Sequence, residues 1–419
     1  MVMPVFGNPF KPGAGHMPPF LAGRNNETQE FCKLLQQDVI LENLVLTGLR
    51  GVGKTVLLDT FKPLALNEKW VWAGTDLSES VSLNEETIAL RLLTDLSMVT
   101  SGFIFKTEEI QAMGFNTKEF IIEKTLSYSV LTGIFKAIPG LLSDKLKGVL
   151  EFVWSCIKPQ GVRGIIFAYD EAQTMSDHVP KGQYPLSLLL DTFQSIQRKS
   201  IPFMLVLTGL PTLFPKLVDA RTFSERMFKV TFLDSLNRED SKEAVMVPIQ
   251  DANCPVHFTS AGIDAIIEKS GGYPYFIQFI CKESFDMYLQ QMSIISEPYI
   301  DYKKAITEIT RKLDNDFFAG RWAKATDRQR ELLTVIAGLD NGDEEFTVQE
   351  IVENAKKLER PFSSSHVNQM LSTLTNMGLV YKNRHGKYSF AVPLLGQYIL
   401  RQQPAYDKKQ QKNLFDDLK

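Results

Sequence analysis

The sequence predicts an α/β protein built on a parallel sheet, followed by a helical region and a small C-terminal module. Three observations carry that expectation. The first is a pair of apolar runs, Leu44-Val45-Leu46 and Gly164-Ile165-Ile166-Phe167-Ala168-Tyr169. Neither alternates with polar residues, so both read as central strands covered on both faces. The second is the stretch Gly48-Leu49-Arg50-Gly51-Val52-Gly53-Lys54-Thr55, which leads from the first run into a helical pattern opening at Val56-Leu57-Leu58. The third is a change of period from about Thr326, where three amphipathic helices precede two short strands joined around His385-Gly386.

Length and composition bound the rest. A chain of 419 residues is long enough for two or three domains, each burying its own core. Hydrophobic content of 44% and charged content of 23% are those of an ordinary globular protein. The net charge of −3 excludes a wholly basic nucleic-acid binder, so any such contact must come from a local patch. Cys32, Cys156, Cys254 and Cys281 lie far apart without C-x-x-C spacing. This argues against a zinc site or a disulfide framework and fits a reducing, cytoplasmic setting. The Pro- and Gly-rich start lacks the continuous apolar core of a secretory signal. Leu126 to Leu150 is the most apolar long stretch, but Lys136, Pro139, Asp144, Lys145 and Lys147 interrupt it, so a packed helical hairpin is expected and not a membrane span.

In chain order, residues 1–18 read as an N-terminal extension and 19–233 as the sheet core. Within the core, Trp70-Val71-Trp72-Ala73 reads as a further strand, and about 97–157 as a mostly helical insertion with Phe120, Ile121, Leu126, Val130, Leu131 and Ile134 as its apolar positions. Pro202-Phe203-Met204-Leu205-Val206-Leu207 is the next strand, ending in Thr208-Gly209. Residues 234–322 read as a helical region, 323–402 as the C-terminal module and 403–419 as a polar tail.

The residue types at the strand ends point to phosphate chemistry. Gly48, Gly51 and Gly53 let the backbone curl so that successive N–H groups of the loop, through Arg50, Val52 and Val56, face one anion. The following helix adds its unpaired donors and the positive end of its dipole. Lys54 is expected to neutralise the β/γ-phosphates and the Thr55 hydroxyl to ligate Mg²⁺. Asp170, at the end of the second apolar run, is placed to hold Mg²⁺ through a water, and Glu171 to act as general base. Thr208 is a candidate for the γ-phosphate or the attacking water, and it serves equally well as a turn cap. ATP and Mg²⁺ are thus the expected ligands.

Three further patterns carry a resemblance. Pro19-Phe20-Leu21-Ala22-Gly23-Arg24 precedes a helix beginning near Glu27, Ser224-Glu225-Arg226-Met227-Phe228 follows the third strand, and Ser270-Gly271-Gly272-Tyr273-Pro274 opens another helix. In this order, together with the loop, Asp170-Glu171 and Thr208, they resemble the AAA+/STAND lineage of prokaryotic ATPases over about residues 18–290. The resemblance implies a parallel-sheet P-loop NTPase core, a helical lid and a C-terminal winged helix-turn-helix, as in origin-recognition-like ATPases. It implies that Gly23 and Arg24 belong to the nucleotide site, that Arg226 senses or contacts the γ-phosphate, with Arg221 as its rival, and that Pro274 lies against the adenine. One departure stands out: the helix after Pro274 runs Tyr275-Phe276-Ile277-Gln278-Phe279-Ile280, without the arginine many AAA+ enzymes carry there. This favours a slow switch over a fast motor.

The C-terminal module leaves two readings open. Residues 325–400 hold eight Lys or Arg against nine Asp or Glu, and the third helix starts Ser364-Ser365-His366-Val367-Asn368-Gln369-Met370 without a positive charge. Ser, Asn and Gln read base edges, but affinity for DNA rests mainly on phosphate neutralisation. Only the wing, with Lys382, Arg384, His385 and Lys387, offers a basic cluster for double-stranded DNA. The alternative is a module that docks on its own ATPase domain or on a partner, including self-association. The corresponding functions are a nucleotide-dependent switch that recruits partners and a DNA-binding initiator or loader.

Overall fold

The computed structural model describes residues 7–13, 15–111, 119–254, 256–291, 299–300, 302–340, 344–384 and 386–403. It consists of two compact units. One comprises Arg24–Gly48 and Lys54–Phe232; the other gathers the chain up to Gly23, the loop Leu49–Gly53 and the chain from Leu233 onward.

The first unit is a sheet with helices on it. After helix α1 (Asn25–Leu35) come strand β1 (Asn43–Gly48), helix α2 (Lys54–Asn67) and strand β2 (Trp70–Ala73). Helix α3 (Glu85–Thr100) starts at a reciprocal cap, in which the Asn84 side chain accepts from the Thr87 N–H and the Thr87 hydroxyl from the Asn84 N–H. An antiparallel pair follows, β3 (Ile104–Gln111) and β4 (Glu119–Thr125), then helices α4 (Tyr128–Ala137) and α5 (Leu142–Ile157). Strand β5 (Gly164–Tyr169), helix α6 (Pro185–Gln197), strand β6 (Phe203–Gly209), helices α7 (Leu213–Ala220) and α8 (Ser224–Met227) and strand β7 (Phe228–Leu233) complete it. The strand order is β2-β5-β6-β1-β7, with β2, β5, β6 and β1 mutually parallel. Strands β1, β5 and β6 are buried at every residue, as central strands between two helical layers must be.

The insertion differs from its mostly helical expectation. Residues 104–125 contain a strand pair in which Ile121 stands opposite Glu109 and Phe120 opposite Ile110. The runs Phe103-Ile104-Phe105 and Phe120-Ile121-Ile122 are aromatic and β-branched, which suits an extended chain better than a helix. Helices α4 and α5 form the expected pair, and α5 turns Leu146, Val149, Leu150, Val153 and Ile157 inward at helical spacing.

The second unit begins with α9 (Arg238–Asp251), capped where the Asn237 side chain accepts from the Asp240 N–H at 2.8 Å. The parallel pair β8 (His257–Phe258) and β9 (Tyr299–Ile300) flanks α10 (Ser260–Ser270) and α11 (Pro274–Gln291). Helix α12 (Tyr302–Leu313) runs into a π-helical turn, Asp314–Ala319, and the short α13 (Gly320–Trp322). The C-terminal module then folds as α14 (Asp327–Ala337), β10 (Phe346–Thr347), α15 (Val348–Asn354), α16 (Ser364–Asn376), β11 (Val380–Arg384), β12 (Lys387–Phe390) and α17 (Leu395–Arg401). Ser363 caps α16, its hydroxyl accepting from the His366 N–H. The sheet order β10-β12-β11 gives three strands where two were expected, because Phe346 pairs opposite Tyr388. Helix α17 was not foreseen.

One hydrophobic cluster runs through this second unit from Phe10 to Ile399. The Phe318 and Tyr398 rings stack at 5.2 Å, and Arg401 pairs with Asp314 through both carboxylate oxygens. The N-terminal extension also belongs here: Phe10 is buried beside Phe258 and Phe285, and Asn8 donates to the Asp286 carboxylate at 2.7 Å. The tail after residue 403 lies outside the described residues. Among the described residues, no helix is long and apolar enough to cross a membrane.

Candidate functional site

The parallel register brings the polar residues predicted at the strand ends to one edge of the sheet. Leu46 pairs opposite Thr208 and Tyr169 opposite Leu207, so Gly48, Asp170 and Thr208 leave neighbouring strands at the same level. Asp170 is 4% exposed and fully engaged. Its Oδ2 accepts from the Thr55 hydroxyl at 2.5 Å, and its Oδ1 accepts from the Glu171 N–H at 2.7 Å and from the buried Thr208 hydroxyl. Thr55, Asp170 and Thr208 thus form one hydrogen-bonded group, and the Lys54 ammonium donates to the Gly48 carbonyl at 3.0 Å.

The phosphate loop has the backbone its glycines imply. Gly51 and Gly53 stand at φ +82° and +90°, where an L side chain is strained. A Cβ on Gly51 would press against Tyr275 at 3.2 Å, while beside Gly53 nothing lies within 4 Å. At Gly53 the limit on a side chain is therefore the backbone conformation and not space. The carbonyl of Gly51 accepts from the N–H of Tyr275 at 3.2 Å, which places Pro274, the first residue of α11, next to the loop.

Glu171 occupies the left-handed region at φ +51°, ending β5 and opening a 3₁₀ turn, Ala172–Thr174. Such a conformation is uncommon for a residue with a side chain and recurs where a functional group must be aimed. Glu171 is exposed and accepts a hydrogen bond from the Gln173 side-chain amide, whose Oε1 accepts from the Leu210 N–H at 3.0 Å. Nothing in the pattern of residues around Asp170 singles out Gln173.

The acids around Asp170 were also missed. Asp76 forms a backbone bridge with Asp170, and a cleft of about 240 Å³ is lined by Asp59, Lys62, Asp76, Asp95 and Asp170. Partial desolvation, and next the Asp170 charge, push the carboxyls of Asp59 and Asp76 above their ordinary range. Excess negative charge of this kind suits a cation, and the Thr55–Asp170 donor set fits Mg²⁺. Among the described residues no group of three His, Cys, Asp or Glu is arranged to cage a metal. A magnesium ion here would therefore be completed by phosphate oxygens and water, which is its usual habit.

The remaining candidates divide. Arg226 lies in the one-turn helix α8, exposed, and makes no ion pair among the described residues. Its rival Arg221 is committed to Asp191 by a two-pronged pair at 2.8 and 2.7 Å. Arg24 is buried and paired with Glu27 at 3.3 Å, a contact within the first turn of α1. Gly23 stands at φ +61° against Asp240. On the C-terminal module, α16 exposes Ser364, Ser365, His366, Asn368 and Gln369, an uncharged face. Lys382 is exposed, Lys387 is partly buried and bears on Glu350, and His385 lies outside the described residues.

A parallel sheet with a glycine loop after β1, an acid after β5 and a threonine after β6 defines a phosphate-loop nucleotide fold. With its helical lid region and C-terminal winged helix, it is the fold of the origin-recognition-like AAA+ ATPases. A Walker-type ATPase of Pyrococcus abyssi superposes with a TM-score of 0.56 at 17% identity, covering 90% of this chain and 96% of that one. The Aeropyrum pernix ORC2 protein in its ADP form superposes with a TM-score of 0.51 at 12% identity, covering 93% and 97%. Residues 315–399 match a family described as a domain of unknown function, DUF8462. No curated protein matches the sequence.

Proposed function

We propose that this chain binds and hydrolyses ATP as an AAA+/STAND-type molecular switch, with the C-terminal module engaging a partner. The observation that carries the reading is the assembly of Thr55, Asp170 and Thr208 into one hydrogen-bonded group at the mouth of an intact phosphate loop. In this reading the loop N–H groups and Lys54 hold the phosphates. Thr55 and Asp170 would hold Mg²⁺, which supplies charge neutralisation on the phosphate oxygens when bound. Glu171 accepts the proton of the attacking water, freed from Gln173 by a side-chain rotation. Arg226, which is exposed, would stabilise charge developing on the transferred phosphoryl group, in its own chain or in a second copy. The basal rate is slow.

A second reading, a DNA-binding initiator or loader, is favoured by the exposed Lys382 on the wing. The uncharged face of α16 weighs against it. Lys54→Ala tests the shared premise: ATP binding measured by calorimetry should fall below detection, and parental affinity in that variant would remove the phosphate-loop assignment. Duplex mobility with and without ATP separates the two readings. Tight, ATP-sensitive binding selects the initiator, whereas binding no better than the roughly 10⁻⁴–10⁻⁶ M of non-specific contacts selects the switch.

A further inference from the structure

The most apolar long stretch of the sequence, Leu126 to Leu150, folds as the helical pair α4 and α5, and the fold leaves part of it uncovered. Of the ten residues of α4, Leu131 alone is fully buried. The link to α5 is the barest part: Ala137, Pro139 and Gly140 are exposed, and Leu141 is 75% exposed. A lone exposed leucine is ordinary, but this one is held outward by its turn. Gly140 stands at φ +106°, where an L side chain is strained, and the Leu141 N–H donates to the Asp144 carboxylate at 3.1 Å. Ile138 folds back onto α5, where a Cβ on Gly148 would come within 2.6 Å of its Cδ1. One large apolar side chain of the link is thus seated, and the next is turned out on a fixed turn.

The charges around this tip are mostly of one sign. Residues 124–158 hold Lys124, Lys136, Lys145, Lys147 and Lys158 against Asp144 and Glu151, in a chain whose net charge is −3. Both acids are engaged, Asp144 with the turn and Glu151 with Lys199. Lys136 is exposed and Lys145 and Lys147 are half-buried, and none of the three meets a carboxylate among the described residues. The Lys145 ammonium lies 5.9 Å from the centre of the Phe135 ring, so its stem runs along apolar surface while its head stays free of any acid. An apolar tip beside unpaired ammonium groups on long aliphatic stems matches the boundary of a bilayer with acidic headgroups. The tip enters the acyl layer and the ammonium groups stay with the phosphates. A nucleic acid would use the lysines and leave Leu141 in water. An apolar protein partner would use Leu141 and bury the lysines without counter-charges.

We propose that the tip between α4 and α5 is a peripheral docking surface for an anionic membrane. Pro139 and Leu141 are the apolar insertion, and Lys136, Lys145 and Lys147 contact the headgroups. One leucine and three lysines make a shallow, reversible contact and not an anchor. The surface uses no residue of the phosphate loop, so it stands or falls apart from the nucleotide reading.

The test floats the full chain with vesicles of phosphatidylcholine alone and of equal parts phosphatidylcholine and phosphatidylglycerol. The parent should rise only with the acidic vesicles, and added salt should release it. Leu141→Ser should weaken this binding by about tenfold through lost apolar burial. Lys136→Gln combined with Lys145→Gln should weaken it by about twenty-five-fold, about fivefold for each lysine at an acidic surface. Leu141 is exposed and the lysines are unpaired, so these variants should melt with the parent. Leu141→Trp supplies a direct readout, since its added emission should shift to the blue with acidic vesicles and stay in place with neutral ones. A parent that rises with neither vesicle overturns the proposal, as does binding that Leu141→Ser and the double lysine variant leave unchanged. Duplex DNA held by the same lysines without vesicle binding would make the patch a nucleic-acid surface. Self-association lost in Leu141→Ser without vesicle binding would make it an interface between copies. Either result also overturns the membrane reading.

Discussion

Thr208→Val puts the assembled group at the strand ends to a quantitative test. The Thr208 side chain is fully buried, and its hydroxyl donates to Asp170, whose carboxylate is itself buried. Valine keeps the volume and the branched shape a strand favours, so the substitution removes one charge-assisted hydrogen bond and little else. Asp170 Oδ1 then retains only the Glu171 N–H. A hydrogen bond to a charged group contributes about 1.5–3 kcal/mol. For a unit of this size, each kcal/mol corresponds to about 2–4 °C in melting temperature, so a fall of roughly 3–12 °C is expected. Thr208→Ser keeps the hydroxyl and loses one buried methyl, at about 1 kcal/mol. Urea titration followed by tryptophan fluorescence suits the measurement, because Trp70, Trp72 and Trp154 lie in the sheet unit and only Trp322 in the other. In an Asp170→Asn background the cost of Thr208→Val should drop by at least half, since the charged acceptor is gone. A Thr208→Val variant within about 0.5 kcal/mol of the parent, or one less damaged than Thr208→Ser, would refute the reasoning, because surface-like changes fall in that range.

Three further outcomes are expected. Glu171→Gln should retain ATP and lose turnover, since the amide cannot accept the water's proton; parental turnover in a single-turnover assay would remove Glu171 from the base role. Arg226→Ala should depress hydrolysis or ATP-dependent assembly with ATP affinity kept, whereas Arg221→Ala should change stability by no more than about 1 kcal/mol, the range of a half-exposed ion pair; the reverse pattern would exchange their roles. Neutralising Lys382 and Lys387 should, if the module binds duplex DNA, weaken binding across all sequences and flatten the salt dependence by about two phosphate contacts' worth of slope. An unchanged slope would mean that the wing does not meet the backbone.

The chemistry that the sequence revealed was local. Gly48 to Thr55 is contiguous, and Asp170, Glu171 and Thr208 each end a strand whose apolar run marks it, so parallel pairing alone brings them to one edge. What was hidden depends on chain folding over itself. Asp76 meets Asp170 through a backbone bridge across a long stretch of chain, and Gln173 meets Glu171 in the turn that follows the left-handed residue ending β5. The strand pair at residues 104–125 was hidden for a different reason. Its aromatic and β-branched runs are short and sit between long helices, and periodicity over a wide window averages them into the helical pattern. Phe10 and Asn8 lay in a segment whose prolines and glycines suggested an idle extension, yet one buried ring and one amide hydrogen bond are enough to anchor it.

These hidden contacts also bear on how the C-terminal module would answer to nucleotide. It shares a core with α11 and the π-helical turn, through the Phe318–Tyr398 stack and the Arg401–Asp314 pair, so it is not hung on a loose linker. The same unit contains Leu49–Gly53, and Tyr275 bonds to Gly51 within it. In the proposed switch, a shift of the loop would reach α11 through the Tyr275–Gly51 bond and then the π-helical turn through the Tyr275–Phe317 ring contact. Each step is a packed or hydrogen-bonded contact, which interfaces of this density transmit as discrete rearrangements and not as gradual bending. An uncharged α16 face is then no defect in a switch. A surface that must engage a partner in one state and release it in the other is better served by polar groups of modest affinity than by charges that would hold nucleic acid in both.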